Sequence, residues 1–199
     1  MRSSDHGGVT GVSNQLGDVS LGKFFDLLRA LVPNLERVGV VWQAGNSGSA
    51  QVKKDLDAAA PRLGLSFVSL ELATPEAVER VFAVVRETRP QALLIHPTPV
   101  AARVYKEIAA FAIAERLPTI TGFSAYAREG FLISYGADWA SIWRLAAHYT
   151  DQLLRGARAA DLPVQQPTTF ELVLNLRTAN ALGLAIPPSL LARADEVIE

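Results

Sequence analysis

RVGVVWQAGNSGSAQVKKDLDAAAPRLGLSFVSL, residues 37–70, decides the fold. Arg37–Trp42 is an almost unbroken apolar run, the mark of a parallel strand covered on both faces. Gln43–Ser49 follows as a Gly/Ser/Asn loop. A helix is expected over about Ala50–Leu63, closed by Gly64, and a second strand over Leu65–Leu70. Strand, helix and strand within 34 residues make one βαβ unit, whose strands pair parallel with a right-handed crossover.

The same alternation extends in both directions. Residues 1–8 read as a disordered lead and Val9–Val12 as a short strand. A helix capped by Asp18 or Ser20 runs through Val32 on a stripe of Leu21, Phe24, Phe25, Leu28 and Leu31, and Pro33 and Asn34 stop it. Downstream, a helix starts at Thr74–Glu76 and reaches Thr88. Further strands are expected at Ala92–His96, Thr119–Thr121 and Phe131–Ser134, with helices over Val100–Arg116 and Asp138–Leu154. Pro163 and Pro167 keep 161–168 extended. A strand alternating from Phe170 to Leu176 leads into a helix over Arg177–Leu182, closed by Gly183. Pro187 and Pro188 launch the last turn, with Ser189 as a candidate cap.

Composition excludes several classes of function. With 199 residues, 49% hydrophobic and 20% charged, the chain is globular rather than disordered. A net charge of −1 provides no footprint for nucleic acid or an anionic membrane. Without cysteine there is no disulfide framework and no thiolate metal site. His6, His96 and His148 are too scattered for a zinc site. MRSSDHGGVTGVSNQLGDVS lacks the basic start and apolar stretch of a signal peptide, so the chain as written is expected to stay in the cytoplasm.

In parallel sheets the working crevice lies beyond the carboxyl ends of the strands. That rule selects Gln43–Ser49, His96–Pro99, Thr121–Tyr126 and Tyr135–Asp138. Asn46, Ser47 and Ser49 suit a carboxylate at a helix start, or merely cap the helix. His96 and Thr98 either hydrogen-bond a ligand or belong to a solvated loop. Phe123, Tyr126 and Tyr135 either stack on an apolar ligand or pack internally. Asp138 either pairs with an ammonium group or caps the helix that begins at Trp139. No nucleophile elbow, P-loop or dinucleotide fingerprint is present, so no catalysis and no cofactor are expected.

The tail, ADLPVQQPTTFELVLNLRTANALGLAIPPSLLARADEVIE (Ala160–Glu199), resembles the carboxy-terminal signature of ABC-transporter substrate-binding proteins of the tryptophan/tyrosine type. Gly7–Gly11, the Gly22–Lys23 helix, Arg37–Trp42, Leu117–Pro118 and Gly130–Asp138 resemble further motifs of that family. Gln43–Asn46 departs from it where an Asn-Pro pair is usual.

The resemblance implies an α/β, Rossmann-like parallel-sheet lobe of a type I periplasmic-binding-protein fold. The expected division is a lead at 1–8, the lobe at 9–160, and a tail at 161–199 that in the family returns toward lobe one. It also implies non-covalent capture of a small molecule, such as an aromatic or apolar amino acid, in the periplasm, for a permease if the protein is exported and complete. Matching mainly the second lobe, the chain reads as half of a clamp from a truncated gene product. An exposed inter-lobe face would then favour a homodimer. The alternative is a cytoplasmic sensor or dimeric scaffold derived from that lobe.

Overall fold

The computed structural model describes residues 9–12 and 18–199, the side chains of 18–21 excepted. The expected lead, Gly7–Gly8 and the choice of cap between Asp18 and Ser20 lie outside what is described. The chain divides into two compact units, residues 18–136 with Glu171–Glu199, and Ala137–Phe170 with residues 9–12.

The larger unit is built on seven strands: β1 (Arg37–Trp42), β2 (Ser66–Glu71), β3 (Ala92–Ile95), β4 (Thr119–Thr121), β5 (Ile133–Ala137), β6 (Phe170–Asn175) and β7 (Glu196–Ile198). Their order is β2-β1-β3-β4-β5-β6-β7. β1 pairs parallel with both β2 and β3, in register Val40 to Ser69 and Val40 to Leu94. β3–β4, β4–β5 and β6–β7 are parallel too.

Alternate residues of β1 feed two cores. Val38 and Val40 join Leu94, Ile120 and Ile133 in one, under Phe24, Phe25 and Leu28 of α1 (Asp18–Arg29) and Leu56 of α2 (Ser47–Leu63). Val41 joins Leu93 and Ile95 in the other, under Val81 and Phe82 of α3 (Val78–Thr88) and Val104 and Ile108 of α4 (Ala101–Ala114). Burying each such side chain contributes about 1.5–3 kcal/mol, and β1 is apolar on both faces because both are used.

Several details differ from the sequence reading. β5 begins at Ile133 and runs past Ser134 to Ala137. A short helix α5 (Ser124–Arg128) follows β4, and β7 forms where only a turn is expected. β6 does not alternate in burial. Leu172, Val173, Leu174 and Asn175 are all buried, so both faces of this half of the strand are covered. Asn175 caps α7 (Leu176–Leu182) by accepting from Thr178 N–H at 3.0 Å and donates to the Ala127 carbonyl at 2.8 Å. After α8 (Pro188–Leu191), the chain returns to the sheet as β7.

In the smaller unit, α6 (Trp139–Leu154) packs Ile142 and Tyr149 inward, and the Tyr149 hydroxyl donates to the Pro163 carbonyl at 2.7 Å. The strand expected at Val9–Val12 reduces to one parallel bridge, Val12 to Gln165. No described helix is long and apolar enough to cross a membrane.

Gly136 fixes how closely β5 approaches the end of β4. A Cβ there would sit 2.1 Å from the Gly122 carbonyl oxygen and 2.8 Å from its carbon, and backbone cannot rotate aside. Gly136→Ala is therefore expected to cost about 2–4 kcal/mol in urea unfolding. Gly45→Ala, whose Cβ would meet nothing within 4 Å, should leave the midpoint nearly unchanged.

Candidate functional site

Strand order places a winding reversal between β1 and β3. The chain leaves β1 to one side for β2, then crosses to the other for β3. The loops after β1 and β3 therefore diverge over opposite faces and leave a crevice between them, where ligands bind in open α/β sheets. Asn46, His96 and Thr98 lie in these two loops, and Ser47 and Ser49 in the first turn of α2 that follows the first of them. Phe123 and Tyr126 follow β4, the next strand along, and Tyr135 lies in β5.

Much of the polar equipment in the loops is committed to shaping them. Asn46 Oδ1 accepts from Ser49 N–H at 2.9 Å and caps α2, while buried Ser49 Oγ accepts from Gln43 N–H at 2.9 Å. Thr98 is buried, and its Oγ1 accepts from Ala101 N–H at 3.1 Å at the start of α4. Ser47 stays exposed in the first turn of α2, whose leading amides have no intrahelical acceptor.

His96 continues β3 beyond Ile95, its N–H donating to the Val41 carbonyl at 3.0 Å. The ring is largely buried and its Nδ1 meets no partner within the protein. Burial lowers its pKa from 6.5 to about 4, so the imidazole is neutral at physiological pH. One level along the register from Ile95, Thr121 and Ser134 come His96, Gly122 and Tyr135, so Gly122 at the end of β4 stands between His96 and Tyr135. Tyr135 is half-buried, edge-on to Phe24 at 6.4 Å.

Among the described residues, five buried side-chain polar atoms lack a partner within the protein: Gln43 Oε1, His96 Nδ1, Thr121 Oγ1, Ser134 Oγ and Gln152 Oε1. Gln43 and His96 directly follow β1 and β3, Thr121 ends β4, and Ser134 is the second residue of β5, level with Thr121 in register. An unmet buried polar group costs about 1–3 kcal/mol, so four in one district mark a place not optimised for stability alone. Sequence reasoning chose the loops but missed Gln43, Thr121 and Ser134 as individual residues. The departure at Gln43–Asn46 was the available signal for the first.

The aromatic candidates divide. Tyr126 is 4% exposed, stacked on Tyr105 at 4.9 Å and edge-on to Phe131 at 5.5 Å, with its pKa pushed up to about 12 by burial and then by Tyr105. Its ring is spent on the core and has little surface left for a ligand. Phe123 is half-buried and edge-on to Tyr126 at 5.3 Å.

Asp138 belongs to the smaller unit. It caps α6, accepting from Ala140 N–H at 2.9 Å and from the Ser141 hydroxyl, and the Ser141 bond is the main cause of its lowered pKa. It borders a hollow of about 250 Å³ with Val12, Ser141, Ile142, Gln165 and Thr169. A larger hollow of about 500 Å³ lies at the opposite, amino edge of the larger unit's sheet, but its Arg86 is already paired with Glu115 at 2.8 Å. No cluster of His, Asp and Glu among the described residues could hold a metal ion.

Residues 2–198 match the sequence profile of the ABC transporter substrate binding protein family. The chain belongs to that family. It is 22% identical over 184 residues to a Tyrosine-binding protein of Clostridioides difficile, covering 89% of this chain and 50% of that protein. Its fold matches a conserved domain protein from Vibrio cholerae with a TM-score of 0.86 at 24% identity, over 95% of this chain and 62% of the other. It also matches an ABC domain from Streptococcus pneumonia, solved in complex with L-Trp, with a TM-score of 0.83 at 24% identity, over 96% and 65%. These likenesses establish a type I periplasmic-binding-like α/β fold. The chain spans about half the length of the curated relative it matches.

The buried imidazole makes a pH prediction. Unfolded His96 takes up a proton below pH 6.5, whereas the folded ring does so only near 4. Between these values the unfolded state binds more protons, so stability falls as pH drops from 6.5 to 4, by up to about 3 kcal/mol. Above pH 6.5 this contribution is flat. The difference in unfolding free energy between His96→Gln and the parent, measured by urea titration, should shift in favour of the variant across that window.

Proposed function

We propose that the crevice at the β1/β3 reversal captures an amino acid with an aromatic side chain, without covalent chemistry. The observation that carries this reading is the unpartnered, buried Nδ1 of His96 at that crevice, in a chain of a substrate-binding family. A neutral imidazole can accept from an ammonium or indole N–H, or donate to a carboxylate, through whichever nitrogen the tautomer leaves available. The exposed Ser47 hydroxyl and the first-turn amides of α2 suit the carboxylate. Asn46 and Ser49 hold that loop in shape and lend it their remaining lone pairs, and Thr98 does the same for the loop after β3. The side chain is received near Phe123 and Tyr135. Tyr126 serves as their packing support.

The aromatic preference is supported by the named ligands of two relatives, tyrosine in one and L-Trp in the other. Asp138, a residue of the smaller unit whose carboxylate caps α6, is not part of this proposal. Delivery to an ABC permease, in the periplasm, is the corresponding physiological role.

Isothermal titration of the chain with L-Trp, L-Tyr, L-Phe and L-Leu tests the reading. Saturable binding of an aromatic member is expected, with leucine weaker by at least about tenfold. At 100 times its dissociation constant the bound ligand should add about 2.7 kcal/mol to stability. His96→Ala should weaken binding about tenfold or more, while His148→Ala, in α6, should not. Equal affinity of His96→Ala and the parent would contradict the assignment.

A further inference from the structure

Trp42 follows Val41 as His96 follows Ile95, Gly122 follows Thr121 and Tyr135 follows Ser134, all at one level across β1, β3, β4 and β5. The bond from His96 N–H to the Val41 carbonyl carries the β1–β3 pairing up to this level. Side chains alternate along a strand, and Val40, Leu94 and Ile133, two residues earlier, all enter the core beneath α1 and α2. Trp42, His96 and Tyr135 therefore share that face. Trp42 is the neighbour of His96 on the side away from Tyr135.

The Trp42 ring is not spent on packing. It is half-buried and joins neither core, whereas Tyr135 packs against the first. Its indole N–H donates to Ser69 Oγ on β2 at 2.8 Å. That bond uses the ring's one donor and fixes its orientation, so what remains to offer is the π face, which attracts cations. Glu71, level with Trp42 on β2, is exposed and enters no ion pair among the described residues.

We propose that Trp42 is a further ligand-contacting residue of the crevice and holds the ammonium group of the amino acid against its indole face. This rests on the ligand reading above and orients the ligand within it. Glu71 makes the β2 side of the row its negative end, and His96, Gly122 and Tyr135 bring no carboxylate to the other. The α-amino end of the ligand lies toward Trp42, on the face that α2 covers, and its side chain toward Tyr135. A cation over an indole face is worth roughly two- to thirtyfold in affinity.

NMR chemical-shift titration, which reads dissociation constants into the millimolar range, tests the assignment with two ligands. They are L-Trp and indole-3-propionate, which has the same ring and carboxylate but no ammonium group. Trp42→Leu should weaken L-Trp about fivefold or more and leave indole-3-propionate within about twofold. Trp42→Phe should retain part of the L-Trp affinity, because its ring keeps a weaker π face. The amide spectra of the unliganded variants check that each is folded. Equal losses for the two ligands overturn the ammonium assignment, as does an unchanged L-Trp affinity in folded Trp42→Leu. A parent that binds neither ligand overturns the crevice reading itself, and this assignment with it.

Discussion

The pairing of β1 with β2 on one side and β3 on the other is the constraint on which the rest depends. A parallel sheet cannot leave a face in water without exposing the apolar side chains that its crossovers bury, so helices must cover both faces. Right-handed crossovers achieve that only if the winding reverses once along the sheet. The reversal puts α1 and α2 over the Val40 face and α3 and α4 over the Val41 face. It also opens the gap between the loops after β1 and β3. The crevice is a by-product of covering a sheet, and the residues around it are free to specialise.

Two kinds of polar residue occupy that edge. Asn46, Ser49 and Thr98 are satisfied by nearby backbone amides and hold the loops in one conformation. Gln43, His96, Thr121 and Ser134 carry buried atoms with no partner in the protein. The first group makes a rigid frame, and the second gives that frame unmet hydrogen-bonding capacity. Preorganised, desolvated polar groups lower the entropic and solvation costs of binding a small polar molecule. His96 combines burial, neutrality and a position just past the end of β3.

Most of the architecture was legible in the sequence because the signals were local. Arg37–Trp42 is the predicted strand to the residue, and Gly183 adopts the left-handed φ of 72° that its place after α7 demands. Asp138 does cap α6. What escaped detection depends on contacts distant in sequence. The five residues of α5 are too few for a helical period, and the three of β7 acquire strand character only by pairing with β6. β5 extends to Ala137, where Gly136 allows the close approach to Gly122. Tyr126 resembled a ligand contact because its sequence position is correct, whereas stacking on Tyr105 from α4 is invisible without the fold. Unpartnered atoms cannot be read from sequence at all, since satisfaction is a property of three-dimensional neighbours.

The central claim is that the His96 imidazole receives the ligand. Its ring nitrogens, observed by long-range ¹H–¹⁵N NMR of the labelled chain during titration with L-Trp, report on this directly. The account predicts that the His96 Nδ1 resonance moves with saturation while the ring stays neutral, and that His148 remains unmoved. Saturable L-Trp binding with the His96 resonances unchanged would contradict it.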